Sequence, residues 1–172
     1  MFKSITDKAE REEGFTLIEL MVVVLIIGIL MAIAIPTFLG AKNSANARAT
    51  QSDLRNAITA EQTYYTNNGQ VYGAATDVSA LEPALKWTAM ASSTAASTGN
   101  GVDVDLTSST PGSSAVVVGA LGADGNAYYV YDNNGVVSYE TIAKGTSPMA
   151  YTALPTTTVT ATSSKGAWAT AW

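Results

Sequence analysis

"EEGFTLIELMVVVLIIGILMAIAIPTF", residues 12–38, sets one carboxylate, Glu19, at the edge of an otherwise unbroken apolar run from Leu20 to Ile35. Counted from Phe15, the run covers about 21 residues, about 30 Å as a helix, enough to cross the hydrocarbon of a bilayer. A charged side chain at the bilayer centre costs roughly 2.5–3.5 kcal/mol on the mildest insertion scales, and less toward the edge. A glutamate at this position therefore calls for a partner or a purpose.

Outward from this stretch the chain divides into three parts. Residues 1–14 are polar, with Lys3, Lys8 and Arg11 set against Asp7, Glu10, Glu12 and Glu13. Beyond Pro36 the pattern turns Ala-rich and amphipathic. Phe38, Ala41, Ala45, Ala49, Leu54, Ile58 and Tyr65 recur at helical spacing, while Lys42, Arg48, Asp53 and Arg55 fall elsewhere on the wheel. "TNNGQ", residues 66–70, supplies the Asn and Gly that close a helix. If both pieces form one helix from Phe15 to about Asn67, it would be roughly 80 Å long.

The remainder reads as loop and sheet. Residues 91–114 are rich in Ser, Thr, Ala and Gly, with a short strand expected at Val102 to Leu106. "SAVVVGAL" and "NAYYVYDNNGVVSYETI" are β-branched and aromatic, and Asp132 to Gly135 lie between two strand-like runs as a hairpin loop. Alternation puts Tyr129 and Tyr131 on one face and Tyr128 and Val130 on the other, so both faces have apolar character. One face is expected to cover the amphipathic half of the helix, which cannot bury its own stripe. The tail from Pro155 to Trp172 reads as an edge strand or an ordered tail. The fold class expected is α+β: a long N-terminal helix, hydrophobic then amphipathic, packed against a small antiparallel sheet.

Composition removes several classes of function. The 172 residues include no cysteine and no histidine. Disulfides, thiolate metal sites, the Ser-His-Asp and Cys-His arrangements and the usual zinc ligands are thereby absent, and an enzyme is not expected. No cofactor and no metal are expected either. A net charge of −5 with nine scattered Lys and Arg argues against a nucleic-acid binder. "GADGN", residues 122–126, and the Asp103/Asp105 pair offer oxygens of the kind calcium takes, but without an EF-hand pattern turn chemistry is the better reading. Tyr64 and Tyr65, at the helix end, are expected to pack under the sheet or the loop before it.

The apolar run itself has three readings. A cleaved secretory signal would use Ala45, Asn46 and Ala47, but that site lies far from Ile35 and inside a helical stretch. An ordinary single-pass anchor would tolerate Glu19 as a charge snorkelling to the headgroups, and the near-equal Lys and Arg counts on the two flanks barely orient it. The third reading rests on the order of residues around Glu19.

A charged leader ending in Gly14, then Phe15, Thr16, Leu17, Ile18, Glu19 and a long apolar helix, closely resembles the type IV prepilin signature. The resemblance is strong from Gly14 to about Ala41 and otherwise extends only to the layout of helix first and sheet later. It implies a leader at residues 1–14, a helix at 15–67 whose first part, 15–35, spans the membrane and then forms a filament core, and a β-rich head at 68–172. It further implies cleavage between Gly14 and Phe15 by a membrane prepilin peptidase, with N-methylation of Phe15. The other implied partners are further copies of the same chain in a helical homopolymer, an assembly platform with its ATPase, and the cytoplasmic membrane, with the head outside.

Within that resemblance Glu19 acquires a role in assembly. Its carboxylate would meet the terminal amine of a neighbouring subunit, penalising wrong register more than adding affinity. Gly28 and Pro36 match positions that bound an extensible segment; Pro36 leaves the Ala32 carbonyl without its helical donor, which is also compatible with a simple kink. Within the same superfamily the alternative is a pseudopilin of a secretion or competence system, and a minor adhesive tip subunit is a further one. The missing cysteines depart from the C-terminal disulfide of many type IV pilins.

Overall fold

The computed structural model describes residues 14–90, 99–106, 115–144 and 168–172. The expected leader up to Glu13, most of the loop at 91–114 and the tail before Trp168 lie outside these residues. The chain forms two compact units, residues 1–40 and 41–172. Helix α1, Leu17–Asn67, is a single 51-residue element. It begins two residues later than expected, because Thr16 caps it.

In the second unit α1 is followed by a short helix, α2 (Ala75–Val78), and five strands: β1 (Lys86–Ala89), β2 (Gly101–Leu106), β3 (Ala115–Leu121), β4 (Ala127–Asn133) and β5 (Val136–Ile142). The strands form one sheet in sequence order. The pairings from β2 to β5 are antiparallel, as expected. β1 departs from that pattern and pairs parallel with β2, Lys86 opposite Gly101. Neither β1 nor α2 was legible in the sequence; "KWTA" is too short to show an alternation.

The hairpin between β4 and β5 is tighter than the four-residue loop expected. Asp132 and Asn133 belong to β4, leaving Asn134 (φ 53°) and Gly135 (φ 85°) as a two-residue turn. Positive φ at both central residues matches the right-handed twist of the flanking strands, which is why Asn-Gly suits it. Asp132 Oδ1 accepts the Gly135 N–H at 2.8 Å.

The two faces of the sheet divide as the alternation requires. Val116, Val118, Ala120, Tyr128 and Val130 face one cluster with Val102, Val104, Leu54, Ala57 and Ile58. The latter half of α1 thus supplies the first core, as expected. The buried line on the helix runs through Thr50, Leu54, Ala57, Ile58 and Glu61. Ala45 and Ala49 of the expected stripe are exposed, because single methyl groups do not set a helix's rotation against larger Leu and Ile side chains. At the helix end Gln62 Nε2 donates to Asp132 at 2.8 Å, the Tyr65 hydroxyl donates to Asn134 at 2.7 Å, and Tyr65 stacks on Tyr72 at 4.6 Å.

Val117, Tyr129, Tyr131, Ile142 and Trp168 form the second cluster. Gly119 stands opposite Tyr129 in the register, and a Cβ there would meet the Tyr129 ring at 2.7 Å. At the β5 edge Ala169 exchanges two 2.7 Å backbone hydrogen bonds with Tyr139. Trp168 thereby joins the second cluster while Trp172 packs on the first, its ring tilted against Tyr139 at 4.6 Å beneath the Arg55 guanidinium at 5.3 Å. Of the expected edge strand or ordered tail, the described part is this one bridge on the β5 edge.

Candidate functional site

The residues singled out around the apolar run lie in order along the first unit. Gly14 and Phe15 precede α1 in non-helical backbone, both exposed, so the Gly14–Phe15 bond is accessible in the folded chain. Thr16 is the N-cap and Glu19 is the third helical residue. The Glu19 N–H donates to Thr16 Oγ1 at 3.2 Å, and the Thr16 N–H donates back to Glu19 Oε2 at 2.8 Å. That reciprocal pair is a capping box, and the Thr16 hydroxyl adds a third bond to the same carboxylate oxygen at 2.6 Å. Glu19 also lies in the first turn, where the helix dipole favours negative charge. A carboxylate beside an apolar run is thus held by donors from its own helix end. The T-x-x-E spacing of Thr16 and Glu19 is the sequence signal that could have revealed this cap.

From Phe15 to Leu39 every large apolar side chain is at least 46% exposed. This surface is exposed along the described residues and is far more contiguous than a soluble monomer's ordinary apolar patches. The helix is long and apolar enough to cross a membrane. It runs unbroken through Gly28 and Pro36. A Cβ at Gly28 would meet open space, so intramolecular packing does not demand glycine there. Just past Pro36, the Thr37 hydroxyl donates to the Ile33 carbonyl at 3.1 Å, a local bond that competes with the regular ladder.

Residues 11–35 match the family described as the prokaryotic N-terminal methylation motif. Similar curated proteins include the type IV major pilin protein of Myxococcus xanthus, 46% identical over 55 residues (32% of this chain, 25% of that one). The type IV narrow pilus major component of Thermus thermophilus is 52% identical over 50 residues, 27% of this chain and 43% of the relative. The type II secretion system core protein G of Klebsiella pneumoniae is 42% identical over 45 residues, 26% of this chain and 32% of that protein. The relatives of the chain's N-terminal part are therefore type IV pilus components and type II secretion system core proteins. The matches span between a quarter and under half of these relatives' lengths.

Elsewhere the site candidates resolve into structural roles. Asp124 of "GADGN" accepts from the Asn126 backbone at 3.2 Å, the Asn126 amide at 2.7 Å and the Tyr128 hydroxyl at 2.6 Å. Both Asp124 oxygens are thus engaged by donors from the same turn and from β4. Burial, with Asp124 beside it, pushes the Tyr128 hydroxyl up to about 12. Tyr64 and Tyr65 are half-buried; Tyr65 packs as described, and Tyr64 lines the approach to Gly73.

Glu61 was not among the expected site residues. Its side chain is fully buried, Oε2 accepts the Gly73 N–H at 3.1 Å, and Oε1 has no hydrogen-bond partner among the described residues. Burial is the main cause that lifts its carboxyl to about 8, with Asp77 and Asp132 adding repulsion. The signal was present: Glu61 follows Leu54, Ala57 and Ile58 on one helical stripe.

Proposed function

We propose that the chain is a structural pilin, made as a membrane precursor and polymerised through α1 into a type IV pilus. The observation that carries this reading is the pairing of the methylation motif at residues 11–35 with an apolar helix whose large side chains are exposed among the described residues. Hydrophobic surface of that extent needs lipid before assembly and neighbouring helices after it. On this reading the membrane peptidase cuts between Gly14 and Phe15, Phe15 is N-methylated, and the retained helix passes from the cytoplasmic membrane into the filament core.

Glu19 then acts in register. In the single chain its charge is held by Thr16; in the polymer the newly exposed amine of an adjacent copy offers an opposite charge. A misplaced subunit leaves that charge buried without a partner, which costs more than correct pairing gains. Gly28 to Pro36 is the segment proposed to lengthen under load, since Gly is a weak helix former and Pro36 removes one ladder bond. Polymerisation by a repeated head-to-tail contact gives an open helical filament, loaded by an assembly platform and its ATPase.

Mass spectrometry of the protein isolated from its native cell tests the processing step. The expected N-terminus is methylated Phe15, and material beginning at Met1 or beyond Ala47 would refute it. The relatives among type II secretion core proteins favour one second reading, a pseudopilin in a short rod. Abundant sheared surface filaments containing the chain support the pilus; its confinement to the cell envelope supports the pseudopilin.

A further inference from the structure

We propose that Glu61 is a proton-dependent latch that holds the segment between α1 and α2, residues 68–74, against the end of α1. This goes beyond the pilin reading and does not depend on how the apolar helix assembles. The geometry begins with a carboxyl group wholly removed from solvent, one oxygen of which holds the Gly73 backbone N–H while the other has no partner among the described residues. The charged groups acting on it are Asp77, from α2, and Asp132, from β4, and both are acids. Tyr72, from the latched segment itself, lies beside Asp132, and burial pushes its hydroxyl up as well. An anion at Glu61 would thus be desolvated and repelled from two sides, which outweighs the Gly73 N–H bond that favours it, so the neutral acid is the stable form in the closed state.

The latched segment is shaped to lie close. A Cβ on Gly73 would meet Val78 Cγ1 of α2 at 2.8 Å and Tyr64 Cδ1 of α1 at 3.1 Å, so the segment packs between α2 and the Tyr64 ring more tightly than a larger residue would allow. Gln70 is held at φ 65°, a conformation that costs a side-chain-bearing residue energy and is released when the segment lifts. Closed and protonated, Glu61 keeps the Gly73 bond; ionised, it is favoured where water reaches it, which requires residues 68–74 to move away.

Amide hydrogen exchange on the full chain in detergent micelles tests this between pH 5 and 8. If opening exposes Glu61, each opening releases one proton, so Gly73 protection, corrected for intrinsic exchange, falls about tenfold per pH unit. Glu61→Gln should abolish that slope. The Gly73 amide should also exchange through a smaller opening than Val130 in β4, which reports the sheet. A flat Gly73 protection in the unmodified chain, or protection equal to that of Val130, would overturn the latch. Should the Gln variant not fold, the carboxyl ¹³C shift of Glu61 in the unmodified chain decides: a protonated shift at pH 6.5 is expected, and an ionised one overturns the proposal.

Discussion

Glu61→Gln replaces a buried acid by a neutral side chain of nearly the same shape, so comparing the two proteins across pH isolates one ionisation. The Glu61 carboxyl is lifted from 4.5 to about 8, chiefly by burial. A raised folded-state value means that the native protein keeps a proton the unfolded chain has released. The resulting stability is fully present below pH 4.5 and is lost as the pH rises through about 8. Each unit across that window costs about 1.4 kcal/mol. The whole window amounts to about 5 kcal/mol and the portion up to pH 7 to about 3 kcal/mol. These are upper bounds, because local opening of residues 68–74 relieves the charge before the sheet unfolds. Denaturant unfolding of the full chain in micelles, followed by fluorescence of Trp87, Trp168 and Trp172, gives the stability of each protein. The difference between Gln and Glu should grow steadily from pH 5 to 8 in favour of Gln, then level off. A difference that stays constant across that range would refute the buried-acid reasoning.

Gly119→Ala should destabilise the second unit by about 1–3 kcal/mol, because the new methyl meets the buried Tyr129 ring; an unchanged melting temperature would mean the ring swings aside freely. Leu54→Ala, at a site with no exposed surface, should cost about 2–5 kcal/mol in the same denaturant assay. Thr16→Val keeps the shape and removes the cap, which is expected to weaken the start of α1 by about 0.5–2 kcal/mol. Faster amide exchange confined to the first turn in micelles is the measurement. Glu19→Ala should leave cleavage after Gly14 largely intact and strongly reduce filament yield, scored by processing and shearing assays in the native cell; abundant filaments from this variant would contradict its role in assembly.

The long apolar helix, its stop at Asn67 and the β4–β5 hairpin could be read without coordinates because each depends on neighbours in the chain. A run such as Leu20–Ile35 has one stable backbone state in lipid, and Asn134–Gly135 can take the positive φ values that a tight hairpin demands. The assignment of Tyr128 and Tyr129 to opposite cores also follows from strand alternation alone. Thr16 and Glu19 were legible in principle, their spacing being that of a cap.

Tertiary structure decided the rest. The four residues of β1 have no pattern of their own and become a strand only because β2 offers unpaired backbone groups beside them. The rotation of α1 was set by Leu54 and Ile58 against the sheet, exposing alanines that the periodicity had counted as apolar. Glu61 illustrates the division most directly. Its place on the buried stripe is written in the spacing, but its proton affinity depends on Gly73, Asp77 and Asp132, which lie 12, 16 and 71 residues away along the chain. Local order follows from short-range sterics and periodicity; desolvation and charge are sums over whatever the fold brings near, and those neighbours exist only once the chain has closed on itself.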